Sequence, residues 1–252
     1  MDKITQLFLV VLVSVSIISC KQNQDNKEFP EKTFSDTTTV QSDKTEKQQI
    51  HYFDTTFVVN RQNFQFTIND IDEENATLTF IRNSKKIKTD TISSIGLGSF
   101  EFIDFNKDGN TDIQFTYLGN NPTFYLYLLD SKNNEFKNVK DFDKFSYSIQ
   151  LKTNPKYYYS YHRAGCADYN WVSDLFYIDN FTAIHIGHIY GQGCEFEIEE
   201  NPQVIKIFKI TDNNEENKKQ IEKLPYAKNI TRFEEKWDFI ENYWNANYKK
   251  FE

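Results

Sequence analysis

Apolar residues recur at every second position through most of the chain from His51 to Glu252. The segments FQFTI, ATLTFI, FEFIDF, DIQFTYL, TFYLYLL, FSYSIQL, KYYYSYH, DLFYI, AIHIGHI, CEFEIEE and VIKIFKI all alternate in this way. Period two sends successive side chains to opposite faces of an extended chain, so each segment predicts a strand with one buried face. Between them lie NDIDEEN, DSKNNE and TDNNEEN, whose Asn and Asp residues favour the tight turns of hairpins. Long helical patterns do not intervene, which argues against a parallel α/β sheet. The expectation is an all-β domain, an irregular propeller-like or sandwich array of antiparallel hairpins.

One segment breaks the alternation. In TRFEEKWDFIENYWNANYKKF, residues Phe233, Trp237, Ile240, Trp244 and Tyr248 fall on one face of a helix. Thr231 followed by Glu234 has the spacing of a capping box, and Lys249 with Lys250 near the end suits the helix dipole. A single C-terminal amphipathic helix is predicted, either covering one end of the sheet or offered to a partner. The core of such a domain draws on 23 Phe, 15 Tyr and 3 Trp, each of which removes about 150–250 Å² from water when buried.

Residues 1–20, MDKITQLFLVVLVSVSIISC, carry an apolar run from Leu7 to Ile18. That is shorter than the roughly 20 residues of a bilayer-spanning helix and reads as a secretory signal. Residues 21–50 are polar and without periodicity, which predicts a disordered tether with a span of roughly 30 Å. The globular domain is expected over 51–252. The sequence IISC resembles a bacterial lipobox, which implies cleavage before Cys20 and its acylation; the plainer alternative is an ordinary signal peptide. The lipobox resemblance places the chain in a bacterial cell envelope, anchored by lipid on the periplasmic or surface side of a membrane.

The formal net charge is −8, and loss of the leader removes Lys3 and Asp2 together, so the balance is unchanged. An acidic chain is a poor nucleic-acid ligand and is repelled by anionic lipid, so membrane contact falls to the acylated terminus.

Two cysteines remain after Cys20, Cys166 and Cys194. In an exported protein such a pair predicts a disulfide, worth roughly 3–4 kcal/mol in the chain-entropy model. It is either a plain staple or a clamp on a binding surface. The loops RAGCADYNW and IYGQGCEFE, with their neighbours, carry Arg163, Asp168, Tyr169 and Tyr190, and Tyr and Arg are frequent interface anchors. These four are the candidate partner-binding residues.

The stretch IDFNKDGNTDIQFTY places Asp104, Asn106 and Asp108 at alternate positions, then Gly109, Asn110 and Asp112. Calcium takes six to eight hard oxygen ligands, and a glycine after the third allows the chain to turn around the ion. The side chains of Asp104, Asn106, Asp108 and Asp112, with the carbonyl of Asn110, are the expected ligands; the plainer alternative is a hairpin whose KDGN supplies a turn. Phe115 stands where an EF-hand has its bidentate Glu, and strands flank the loop where an EF-hand has helices. The arrangement resembles the strand–loop–strand calcium loops of FG-GAP and VCBS-type repeats in extracellular propellers. Those families repeat the loop, whereas it occurs once here. With the stretch YYYSYHRAGC and NWVSDLFYIDN, the chain resembles a group of small bacterial lipoproteins with one such loop in an irregular propeller-like β fold. That resemblance implies an inhibitor or immunity protein acting on a cell-wall hydrolase.

Other chemistry is thin. His185 and His188, three apart in AIHIGHI, are expected on opposite faces of a strand and so not to share a metal. His162 has no nucleophile or orienting carboxylate fixed beside it. Tyr157, Tyr159 and Tyr161 share a strand face, suited to a core ladder or to stacking on sugars. Phosphate-cradling glycine loops, nucleophile elbows and zinc-protease motifs are absent from the sequence. A non-enzymatic protein-binding module is expected, with a glycan-binding lipoprotein and an envelope hydrolase as alternatives.

Overall fold

The computed structural model describes residues 51–252 apart from positions 60, 71, 198, 200 and 201. The leader, the acylation position Cys20 and the tether to residue 50 lie outside the described residues.

The alternating segments form antiparallel meanders. The first sheet runs β1 (His51–Val59), β2 (Gln62–Asp70), β3 (Asn75–Arg82) and β4 (Lys85–Ser93) in spatial order. The second runs β5 (Leu97–Ile103), β6 (Asp112–Tyr117), β7 (Thr123–Asp130) and β8 (Glu135–Asn138) in the same manner. Period-two burial explains their packing. Phe66 lies opposite Phe80, and Ile68 opposite Leu78, so one face of the first sheet is a continuous apolar surface. It meets Phe115, Tyr127 and Phe136 of the second sheet, with ring centroids 5.8 Å apart for Phe66–Phe115 and 5.3 Å for Phe80–Phe136.

The third sheet contains β9 (Ile149–Gln150), β10 (Tyr157–Tyr159), β11 (His162–Arg163), β12 (Asn170–Asp179), β13 (Thr182–Gln192), β14 (Val204–Thr211) and β15 (Asn214–Pro225). Its order is β15-β14-β13-β12-β10-β9, with β11 also paired to β12. Leu126 and Leu128, from the far side of β7, pack on Phe145, Tyr158 and Phe176 to join the second sheet to the third. On its other face the third sheet presents Tyr157, Tyr159, Tyr161, Trp171, Leu175 and Ile189 to the short helix α1 (Tyr226–Asn229) and to α2 (Glu235–Asn247). Three cores thus follow one another through the domain. The architecture is all-β with a C-terminal helix, and its open, face-packed sheets are of the sandwich type.

Local departures have physical causes. FSYSIQL is a strand only at Ile149–Gln150, because Phe142–Lys144 forms a 3-10 turn that sends Phe145 onto Phe176. Within CEFEIEE, Glu195–Glu197 is a 3-10 turn and not strand. Strands β4 and β15 carry KKIKTDTIS and NEENKKQIEKLP. They form the edges of their sheets, where one flank faces solvent and hydrophobic alternation is weak. At the helix, the capping carboxylate is Glu235 instead of Glu234: its Oε2 accepts from Thr231 N at 3.0 Å and Thr231 Oγ1 at 2.7 Å. The buried face of α2 is Lys236, Ile240, Tyr243 and Trp244, while Phe233 and Trp237 remain partly exposed.

Among the described residues no helix is long and apolar enough to cross a membrane.

Candidate functional site

The acidic loop occupies the connection between β5 and β6, strand–loop–strand as its flanks predict. Left-handed backbone at Lys107 and Gly109 curls it. Asp104 Oδ2 accepts from Gly109 N at 3.0 Å, and Asp108 Oδ1 from Asn110 N at 2.8 Å. Asn106 Oδ1 accepts from Asp108 N at 3.2 Å. Asp112 opens β6 fully buried, its two oxygens taking the N–H groups of Phe105 and Leu129, each at 3.0 Å. Burial raises its pKa to about 6 against the pull of those two hydrogen bonds, and the charges of Asp108 and Asp104 raise it further. The loop thus directs negative charge at a buried carboxyl. Its oxygen-only donor set matches the chemistry of calcium.

Cys166 and Cys194 are joined, with an S–S distance of 2.05 Å and Cα atoms 5.8 Å apart. Cys166, Ala167 and Asp168 are three successive residues at positive φ, a conformation that costs free energy and persists only where its surroundings fix it. Beside the disulfide, the fixing group is Lys236 of α2. Its ammonium donates to the Asp168 carbonyl and approaches Asp168 Oδ2, both at 2.9 Å. Lys236 is wholly buried and wrapped by aromatic faces, Nζ lying 3.7 Å from the Phe233 ring centroid, 4.9 Å from Trp237 and 5.4 Å from Tyr161. Burial lowers its pKa, with Asp168 acting in the opposite sense. Tyr161 donates its hydroxyl proton to Asp168 Oδ1, and burial followed by that bond holds the phenol strongly protonated.

This knot forms one wall of a cleft of about 500 Å³. Tyr147, Ile149, Tyr159, Tyr161, Trp237 and Ile240 give it apolar walls; Arg163, Asp168, Asp238 and Glu241 give it charge. Tyr161 and Trp237 meet with ring centroids 4.1 Å apart. Arg163 is held by its backbone, which exchanges two 2.9 Å hydrogen bonds with the Asn121 side chain. Of the four residues proposed for partner binding, Arg163 and Asp168 share this cleft. Tyr169 packs instead on Phe233, centroids 5.2 Å apart, and lines a neighbouring recess with Gly193 and Tyr226. Tyr190 stands on β13 opposite Val172 and Lys206 and does not line the cleft. The tyrosine face of β10 is core, as its spacing allows, while Tyr159 and Tyr161 also reach the cleft. Trp237 belongs to the helix face that the sequence marks as apolar, whereas Lys236 escapes sequence reasoning because a lysine in a helix reads as a solvated residue.

A second cluster contradicts the expectation for His185 and His188. The register between β12 and β13 steps from Gly187↔Leu175 to His185↔Phe176, so Ile186 is an extra residue in β13. This bulge interrupts the alternation and turns both imidazoles to the same carboxylate. Asp174 Oδ1 lies 2.7 Å from His188 Nδ1 and 3.1 Å from His185 Nε2. Among the described residues these three are the group of His, Cys, Asp and Glu side chains whose ligand atoms lie within 4.8 Å of one another; the loop carboxylates are not drawn that close. Burial opposes charge on His185, but Asp174 and then Glu215 outweigh it and raise its pKa to about 9. Burial likewise opposes ionisation of Asp174, and the two imidazoles overcome it and hold the carboxyl ionised.

Neither a family model nor a curated protein matches the chain. A solved structure described as that of a Xanthomonas Type IV Secretion System related protein aligns over 72% of this chain and 97% of its own, at 13% identity and a TM-score of 0.41.

Proposed function

We propose that the chain is a calcium-stabilised recognition module of the bacterial cell envelope, tethered through acylated Cys20, and that it docks a protein partner at the Tyr161–Trp237 cleft. The observation that carries this reading is the construction of the cleft. Its aromatic wall is pinned from behind by Lys236, Asp168 and the disulfide, so little side-chain entropy remains to be lost on docking. Arg163, Tyr147 and Trp237 at its mouth are the residue types that most often anchor interfaces. A cell-wall hydrolase is the proposed partner class, which makes the module an inhibitor or immunity protein, and no comparison points to an enzymatic activity of the chain itself. The loop Asp104, Asn106, Asp108, Asn110 and Asp112 would hold calcium, which neutralises the charge converging on Asp112.

A glycan reading has one specific support: aromatic walls flanked by Asp238 and Glu241 suit a sugar ring, which stacks on the former and donates hydroxyl protons to the latter. The two readings separate in one experiment. The protein is titrated into peptidoglycan-hydrolase assays with saturating calcium, and in parallel onto soluble peptidoglycan fragments. Inhibition lost in Trp237→Ala and Arg163→Ala supports the protein partner. Binding to fragments without inhibition replaces it with the glycan reading, and hydrolysis of the fragments by the purified chain ends both.

A further inference from the structure

We propose that Asp174, His185 and His188 form a binding site for a divalent first-row transition metal, chemically distinct from the oxygen-only loop and suited to zinc. The bulge at Ile186 is the first ground, since it alone brings two imidazoles of one strand onto a carboxylate of the next. Donor geometry is the second. Zinc bonds of about 2.0–2.1 Å place neighbouring tetrahedral ligands about 3.3 Å apart; the present separations of 2.7 and 3.1 Å fall short of that by about 0.6 and 0.2 Å, and all three ligand atoms lie within 4.8 Å of one another. Two N–H donors now crowd one carboxylate oxygen, and a cation replaces both protons at once.

The surroundings complete the case. The Gly187 carbonyl oxygen lies 2.9 Å from the same His185 Nε2 and offers a fourth donor on that side. The other ring nitrogen, Nδ1, faces Glu215 Oε1 at 3.6 Å, so an outer carboxylate stands on the side of the ring away from the proposed ion. Phe145 and Phe208 lie against the two rings, at centroid distances of 5.3 Å and 5.7 Å, and limit access of water. Imidazole ligands favour zinc, copper or nickel over calcium, so the acidic loop and this cluster would not compete for one ion.

The test uses the full chain without a histidine tag, dialysed against chelator, and titrated with zinc chloride by calorimetry and with cobalt chloride by visible absorption. A single equivalent of zinc is expected to bind, and cobalt to develop the absorption bands of a nitrogen-ligated ion. His188→Gln, at the most accessible of the three positions, should weaken zinc binding at least tenfold while its melting curve reports that it is folded. Asp108→Ala should bind zinc as the wild type does. Failure of the wild type to bind zinc stoichiometrically overturns the proposal, as does binding that His188→Gln leaves unchanged.

Discussion

Lys236 on helix α2 holds Asp168 at two points, the backbone carbonyl and Oδ2, each 2.9 Å from its ammonium. A lysine with no exposed surface is tolerated because one carboxylate and three aromatic faces replace its water. Removing it should strand Asp168 and leave a hole beneath the cleft. Lys236→Ala is expected to cost about 3 kcal/mol, in the range for a broken buried pair. Lys236→Met, which keeps the stem, should cost less. Urea denaturation of the two variants tests the order; equal stability of Lys236→Ala and the wild type would deny the lysine its role.

Calcium should raise the melting temperature. At a concentration one hundred times the dissociation constant, binding to the folded state alone adds about 2.7 kcal/mol. For a domain of this size that is roughly 5–11 °C, at 2–4 °C per kcal/mol. Asp108→Ala should melt identically in chelator and in calcium. A wild-type protein indifferent to calcium removes the ion from the loop.

The same loop should set a pH dependence in chelator. Burial lifts the Asp112 carboxyl to about 6 when folded, against 3.8 for a freely solvated aspartate, so the folded state retains a proton that the unfolded state loses. Stability therefore falls as pH rises from about 4 to 6, by about 3 kcal/mol at 1.36 kcal/mol per pKa unit, and is flat above that window as far as this group is concerned. Asp112→Asn should abolish that fall. Saturating calcium should oppose it, since the ion favours the ionised carboxyl.

Reduction of Cys166–Cys194 frees the three left-handed residues that it helps to hold. The Cys166→Ser, Cys194→Ser protein is expected to lose about 3–4 kcal/mol and to bind its partner more weakly. Chemical denaturation measures the first effect and hydrolase inhibition the second; loss of stability with full inhibition would make the disulfide a staple and nothing more.

The strands that carry two apolar faces or one clean alternation, such as β3 and β7, were legible because burial repeats with the pleat. Edge strands β4 and β15 were not, since a strand paired on one side and wet on the other needs no apolar code. The acidic loop announced its strand–loop–strand setting through its flanks, and the cysteines their pairing through their number. The histidine cluster was hidden by one residue: with Ile186 counted in register, His185 and His188 point apart, and nothing local in AIHIGHI marks the bulge. The cleft was half visible, through Arg163 and Asp168. Its other half comes from Trp237, Ile240 and Glu241, about 70–80 positions along the chain, a distance over which only tertiary packing decides who meets whom.

Strand β15 has a last consequence. It is twelve residues long and ends the largest sheet, with one row of backbone groups turned outward. A long open edge of this kind invites strand addition from any neighbouring chain. Glu215, Glu216, Lys218, Lys219, Glu222 and Lys223 stud it, and charge along an exposed edge is one of the devices that discourage such addition. Copies held at high density would meet at that charged border, which disfavours the edge-to-edge pairing that a neutral strand of the same length would permit.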